Sequence, residues 1–89
     1  MTATNVRQTE TYRHRVRGQG EHEHHRYATP AGEVVEVTRW PRHPHRNAWV
    51  RRLDRGGVMV TEERHSGLIS VRGLLRMSGY SLEVDSPVT

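Results

Sequence analysis

The stretch Ala48-Trp-Val-Arg-Arg-Leu53-Asp54-Arg-Gly-Gly57-Val58-Met-Val-Thr-Glu-Glu63 decides the fold. Two runs rich in β-branched and aromatic residues flank an Asp/Gly segment, which is the composition of a β-hairpin. Its register stays open. A turn of two or four residues sets Leu53 against Val58, Arg51 against Val60 and Trp49 against Glu62. A three-residue turn sets Val50 against Val60.

On the N-terminal side, Pro41 to Asn47 is a loop, because Pro41 and Pro44 exclude helix and central strand. Glu33 to Trp40 carries Val34, Val35, Val37, Thr38 and Trp40 and reads as a strand. Before it, Thr29-Pro-Ala-Gly32 is a turn that folds this strand back onto residues 25–28. On the C-terminal side, residues 66–79 are ambiguous. Ser66 and Gly79 are plausible helix ends, and Leu68, Val71 and Leu75 lie at helical spacing. Gly67, Gly73, Ile69 and Val71 oppose a helix. The reading adopted is a short strand over 68–72, one helical turn over 73–77, a last strand Tyr80–Val84 and a tail over 85–89.

The expected fold is therefore mostly β: a small five-stranded open barrel with one helical turn, spanning 27–84. Its layout over residues 33–84 is similar to that of an SH3-like barrel, with 41–47 as the first long loop. The rival architecture is an antiparallel sheet packed by one C-terminal helix, 66–78. Residues 1–26 contain only Val6, Tyr12 and Val16 as sizeable apolar groups. They are expected to form a mobile Arg/His-rich arm, since such a segment buries too little to offset its ordering entropy. Tyr12, His14 and Val16 nonetheless alternate as in a strand.

Composition narrows the function. All fourteen basic residues are arginine, the formal charge is +4 and hydrophobic residues are 33%. A GC-rich coding bias produces the same arginine excess without selection on chemistry. A net positive balance favours polyanionic partners. Cysteine is absent, which excludes disulfides, thiolate metal sites and cysteine nucleophiles. The core is then marginal for a chain of this size, so a partner or homo-oligomer is one source of added stability. No stretch has the length of a membrane span, and the first residues lack a secretion-signal core, so the expected location is cytoplasmic.

Three constellations stand out. Arg39, Trp40, Arg42, Arg46, Trp49, Arg51 and Arg55 combine bidentate phosphate donors with stacking surfaces and are the expected nucleic-acid-binding residues. Because phenylalanine is absent, at least one tryptophan is also expected in the core. Arg51 and Arg52 are neighbours in a strand and point to opposite faces. His22 and His24 would share a strand face and are the candidate metal ligands, although solvated histidines are the simpler expectation and no cofactor is assigned. No nucleophile elbow, paired acids or phosphate loop is present, which argues against an enzyme. The leading expectation is a small, non-enzymatic, nucleic-acid-binding accessory or regulatory protein. The alternative is a protein-interaction adaptor or inhibitor that docks an acidic surface, with Glu33–Trp40 as an edge strand adding to a partner sheet. A histidine-based metal binder is third.

Overall fold

A computed structural model describes residues 3–16, 20–42, 47–67 and 69–83. The fold is mostly β, with one short helix. Strands β1 (Thr4–Val16), β2 (Gly20–Ala28), β3 (Val34–Arg39), β4 (Ala48–Leu53) and β5 (Met59–His65) are followed by helix α1 (Val71–Met77) and strand β6 (Tyr80–Leu82). They form one curled half-barrel sheet of order β5-β4-β3-β2-β1-β6. Neighbours pair antiparallel except β1 and β6, which pair parallel over Thr4–Val6.

The expected β3 and β4 strands, the hairpin return and the final strand all form. The Thr29–Gly32 turn also forms: Gly32 N–H donates to Thr29 O, and Thr29 Oγ1 accepts from Glu33 N–H. Tyr27 faces Val35 and His25 faces Val37, so β3 folds back onto β2 as the sequence implies.

Residues 1–26 differ from expectation. The described part of this segment is not an arm but β1 and most of β2, and β2 lies between β1 and β3. A long antiparallel ladder, from Arg7 opposite Ala28 to Val16 opposite Gly20, joins β1 to β2, and cross-strand charge pairs run along it. Arg13 lies within reach of Glu21 and Glu23, Arg15 of Glu21, and Arg26 of Glu10 and Glu36. Val6 and Tyr27 supply the buried apolar anchors, at 0% and 1% exposure.

The hairpin takes neither expected register. Asp54 and Val58 close the turn: Asp54 N–H donates to Val58 O, and Asp54 Oδ1 accepts from the N–H groups of Gly56 and Val58. A bulge follows between Arg52 and Leu53, which sets Leu53 against Met59, Arg51 against Glu62 and Trp49 against Arg64. An extra residue on one strand is what a bulge adds, and no straight-ladder count anticipates it.

The strand expected at 68–72 is absent from the described part of that segment; Leu68 lies outside the described residues, and Val71 opens α1. Ser70, not Ser66, caps the helix, with its Oγ accepting from Gly73 N–H at 3.1 Å. Gly73 is not a helix breaker here. A Cβ at that position would meet Ile69 Cγ2 at 3.0 Å and Ser70 Oγ at 3.2 Å, so the tight cap requires its smallness. Gly79 ends the helix at φ +89°.

The core lies between the sheet and α1. Val6, Tyr27, Val35, Val37, Ala48 and Val50 from the sheet meet Leu74 and Leu75 from the helix, with Ile69, Val71, Tyr80 and Leu82 at the margin. Neither tryptophan belongs to this cluster, contrary to expectation. Tyr27 and the two leucines take the volume that a chain without phenylalanine was expected to fill with an indole.

Candidate functional site

Period-two alternation gives every strand an inner face, toward α1, and an outer face, on which His22 and Thr38 are nevertheless buried, at 7% and 6% exposure. The outer face is organised in rows that cross five strands. One row runs Tyr12, His24, Thr38, Trp49, Arg64. The Tyr12 and His24 rings stack at 4.7 Å, and His24 Nδ1 is 3.1 Å from Thr38 Oγ1. The guanidinium groups of Arg51 and Arg64 each lie 4.4 Å from the Trp49 ring centroid. His22 extends the row's aromatic end, 4.6 Å from the His24 ring and 5.3 Å from Trp40.

The adjacent row alternates in charge: Glu10, Arg26, Glu36, Arg51, Glu62. Arg26 Nε donates to Glu36 at 2.9 Å, and Arg51 Nε donates to Glu62 at 2.9 Å. Arg26 also lies 3.8 Å from Glu10, and Arg64 lies 3.6 Å from Glu62. The next row is mainly apolar: Ala28, Val34, Leu53 and Met59, with Arg7 at its end. Aromatic, charged and aliphatic strips thus lie side by side on one face of the sheet.

The inner face carries the buried polar cluster. Glu23, only 8% exposed, accepts from Arg39 Nε at 2.6 Å. Arg39 Nη1 donates to Ile69 O at 2.8 Å, which ties the segment before α1 to β3. His25 sits beside Glu23 and touches Thr11 Oγ1 at 3.2 Å. Burial holds the His25 imidazole below the ordinary histidine value; Glu23 opposes this, while Arg39 and Arg13 reinforce it. Burial also raises the hydroxyl pKa of Tyr27 and Tyr80.

These faces sort the sequence-derived residues. Trp49 and Arg51 come together on the outer face, and Trp40 lies beside His22. Arg39 does not join them: it is on the inner face, committed to Glu23 and Ile69. Arg42 is exposed beyond β3, and Arg46 lies outside the described residues, as do His43 and His45. Arg55 donates to Ala31 O, joining two turns rather than the tryptophans. Arg51 and Arg52 do point to opposite faces, Arg52 lying 3.8 Å from Glu33. His22 and His24 share a face, as a strand requires. Among the described residues, no group of three or more His, Asp and Glu is placed to hold a metal ion.

Sequence reasoning missed Tyr12, Arg26, Glu36 and Arg64, and it singled out His24 only as a candidate metal ligand. The one available signal was the strict alternation of Glu21-His-Glu-His, which sends the acids to one face and the imidazoles to the other. The strand Glu33–Trp40, expected at an edge, is central: β3 is flanked by β2 and β4 and cannot accept another strand. The edge strands are β5 and β6, and on β5 Met59 and Val60 stand 51% and 48% exposed.

Of the arginines, Arg13, Arg15, Arg26, Arg39, Arg51, Arg52 and Arg64 each have a carboxylate within 4 Å. The all-arginine composition is thus matched, residue by residue, to glutamate over most of the sheet. No helix among the described residues is long and apolar enough to cross a membrane. Comparison with protein-family models, curated proteins and solved structures finds no match for this chain.

Proposed function

We propose that the chain is a non-enzymatic protein-interaction module that presents the outer face of its sheet to a protein partner. One observation carries this reading: the aromatic row Tyr12–His24–Trp49–Arg64 borders a charge row that is already internally paired. Tyrosine, tryptophan and arginine are the side chains that dominate binding energy at protein interfaces. Charges matched to their own neighbours steer a partner weakly and give register rather than affinity. The partner surface this face fits is one of mixed charge, not the strongly acidic one that the arginine count suggested.

Nucleic acid is the second reading. It is favoured by the placement of two guanidinium groups against Trp49, which offers stacking and cationic surface together. It is opposed by Glu10, Glu36 and Glu62 on the same face, which would repel a phosphate backbone.

Affinity capture from cells of the source, with the wild-type chain and with the Trp49→Ala/Arg64→Glu variant, tests the proposal. A defined protein held by the wild type, released by the variant and little affected by salt is the expected result. Titration with single- and double-stranded oligonucleotides provides the opposite outcome. Tight binding whose logarithm falls with log salt by about 0.7–0.9 per phosphate contact, and which the same variant abolishes, would overturn the proposal in favour of the second reading.

A further inference from the structure

We infer that a cleft between α1 and β6 binds a single phosphate group through Arg72 and Arg76. This site lies on the helix, on the other side of the sheet from the outer face, and does not depend on what that face binds. Arg72 and Arg76 are exposed and stand one turn apart on α1. They border one cleft of about 180 Å³ with Ala3, Tyr80, Ser81 and Leu82.

Three observations point to an anion there. First, no carboxylate among the described residues lies within 4 Å of either guanidinium, in contrast to the arginines of the sheet. Glu10 and Glu83 border the neighbouring cleft, which Arg72 also lines, but they stay beyond ion-pairing reach. Second, α1 contains no acidic residue. Like charges at i and i+4 repel and destabilise a helix, and an anion seated between them reverses the sign of that interaction. Third, guanidinium forks match phosphate oxygens with paired donors, and the Ser81 hydroxyl on the cleft wall adds a neutral donor. The cleft is small and lined by Arg72, Arg76 and Ser81, which gives one tetrahedral anion both charge and donors.

The ligand chemistry is a phosphate dianion, free or as a monoester. The full chain is titrated with inorganic phosphate and separately with O-phosphoserine, against chloride at matched ionic strength, and followed by thermal unfolding and by the arginine side-chain NMR signals. We expect a saturable rise in Tm, as ligand binding to the native state requires. The accompanying shifts should be confined to the Arg72 and Arg76 Nε–H groups and the Ser81 amide. Tighter binding of O-phosphoserine identifies an esterified ligand, and tighter binding of inorganic phosphate a free one. The Arg72→Gln/Arg76→Gln variant should lose the saturable response while Arg42→Gln/Arg55→Gln keeps it. No saturable shift in the wild-type chain, or equal shifts at Arg42 and Arg55, would overturn the inference. The wild-type NMR map decides the matter even where the double variant fails to fold.

Discussion

The inner face of the sheet buries Val6, Tyr27, Val35, Val37 and Val50 under Leu74 and Leu75, whereas the outer face, made by alternate residues of the same strands, leaves Tyr12, Arg64 and Met59 exposed. Both faces carry arginine and glutamate in cross-strand pairs, but with different consequences. The inner pair Arg39–Glu23 is largely buried and fastens the segment before the helix to the sheet. The outer pairs are half-buried, with Glu36 13% and Glu62 23% exposed, and neutralise one another along a row. The inner charges therefore belong to the framework, and on the proposed reading the outer ones belong to the chemistry the surface offers a partner. Stability should respond to changes on the first face and recognition to changes on the second.

The strongest test of that division compares one residue from each face. Leu75→Ala removes a fully buried side chain from a core of few members and should cost about 2–5 kcal/mol. Against a total of about 5–15 kcal/mol for a typical domain, this is a large share. Tyr12→Ala, on the exposed row, loses a ring stacked on His24 and should cost about 1 kcal/mol or less. Urea unfolding midpoints of the two variants measure both. Comparable losses would mean that the outer row is part of the core's support and not a free surface.

The same contrast explains what was legible in the sequence. The 27–65 region announces itself through β-branched runs and turn residues, because its strands are held by apolar burial and burial leaves a composition signal. Residues 4–26 are held by a backbone ladder with Val6 as the buried apolar anchor, and their charges meet only after folding: Arg13 with Glu21 and Glu23, Arg26 with Glu10 and Glu36. A polar composition then reads as an arm, although the alternation in Tyr12, His14, Val16 and in Glu21-His-Glu-His already had the period of a strand. The candidate face was half legible for a related reason. Trp49 and Arg51 share a strand, so their common face follows from spacing. Arg64 reaches Trp49 only through the bulge at Arg52/Leu53, and Tyr12 and His24 come from the segment taken for an arm. Arg39 was misassigned because its face was not weighed against that of Trp40, its neighbour.

Acid should separate the faces next. His25 is held neutral by burial on the inner face, with Arg39 and Arg13 adding to the effect and Glu23 opposing it. A group whose folded pKa lies below its unfolded value contributes stability that is present above the unfolded pKa. That contribution is lost as pH falls through the unfolded value to the folded one, because the unfolded chain then binds the proton more readily. Chemical unfolding across the mildly acidic range should show this loss for the wild type and a flatter profile for His25→Gln. An equal slope in the variant would assign the pH dependence to other histidines, and the inner cluster would lose its role as the acid-sensitive point of the fold.

The smallest expected effect on stability is at the centre of the outer charge row. Glu36 accepts from Arg26 and stands opposite Arg51 in the register, so Glu36→Gln removes one charge while preserving size and a hydrogen-bond acceptor. The pair is half-buried, with Glu36 13% and Arg26 42% exposed, but glutamine keeps the acceptor, so the cost should be about 1 kcal/mol or less and the Tm should move little. The face, however, gains one net positive charge between two arginines, next to Trp49. If the internally paired row is what turns polyanions away, Glu36→Gln should acquire salt-sensitive oligonucleotide binding that the wild type lacks, read by fluorescence anisotropy at low ionic strength. A variant that unfolds readily, with no gain in polyanion binding, would place this row with Arg39 and Glu23 as framework and erase the distinction between the faces at the point where it is drawn most sharply.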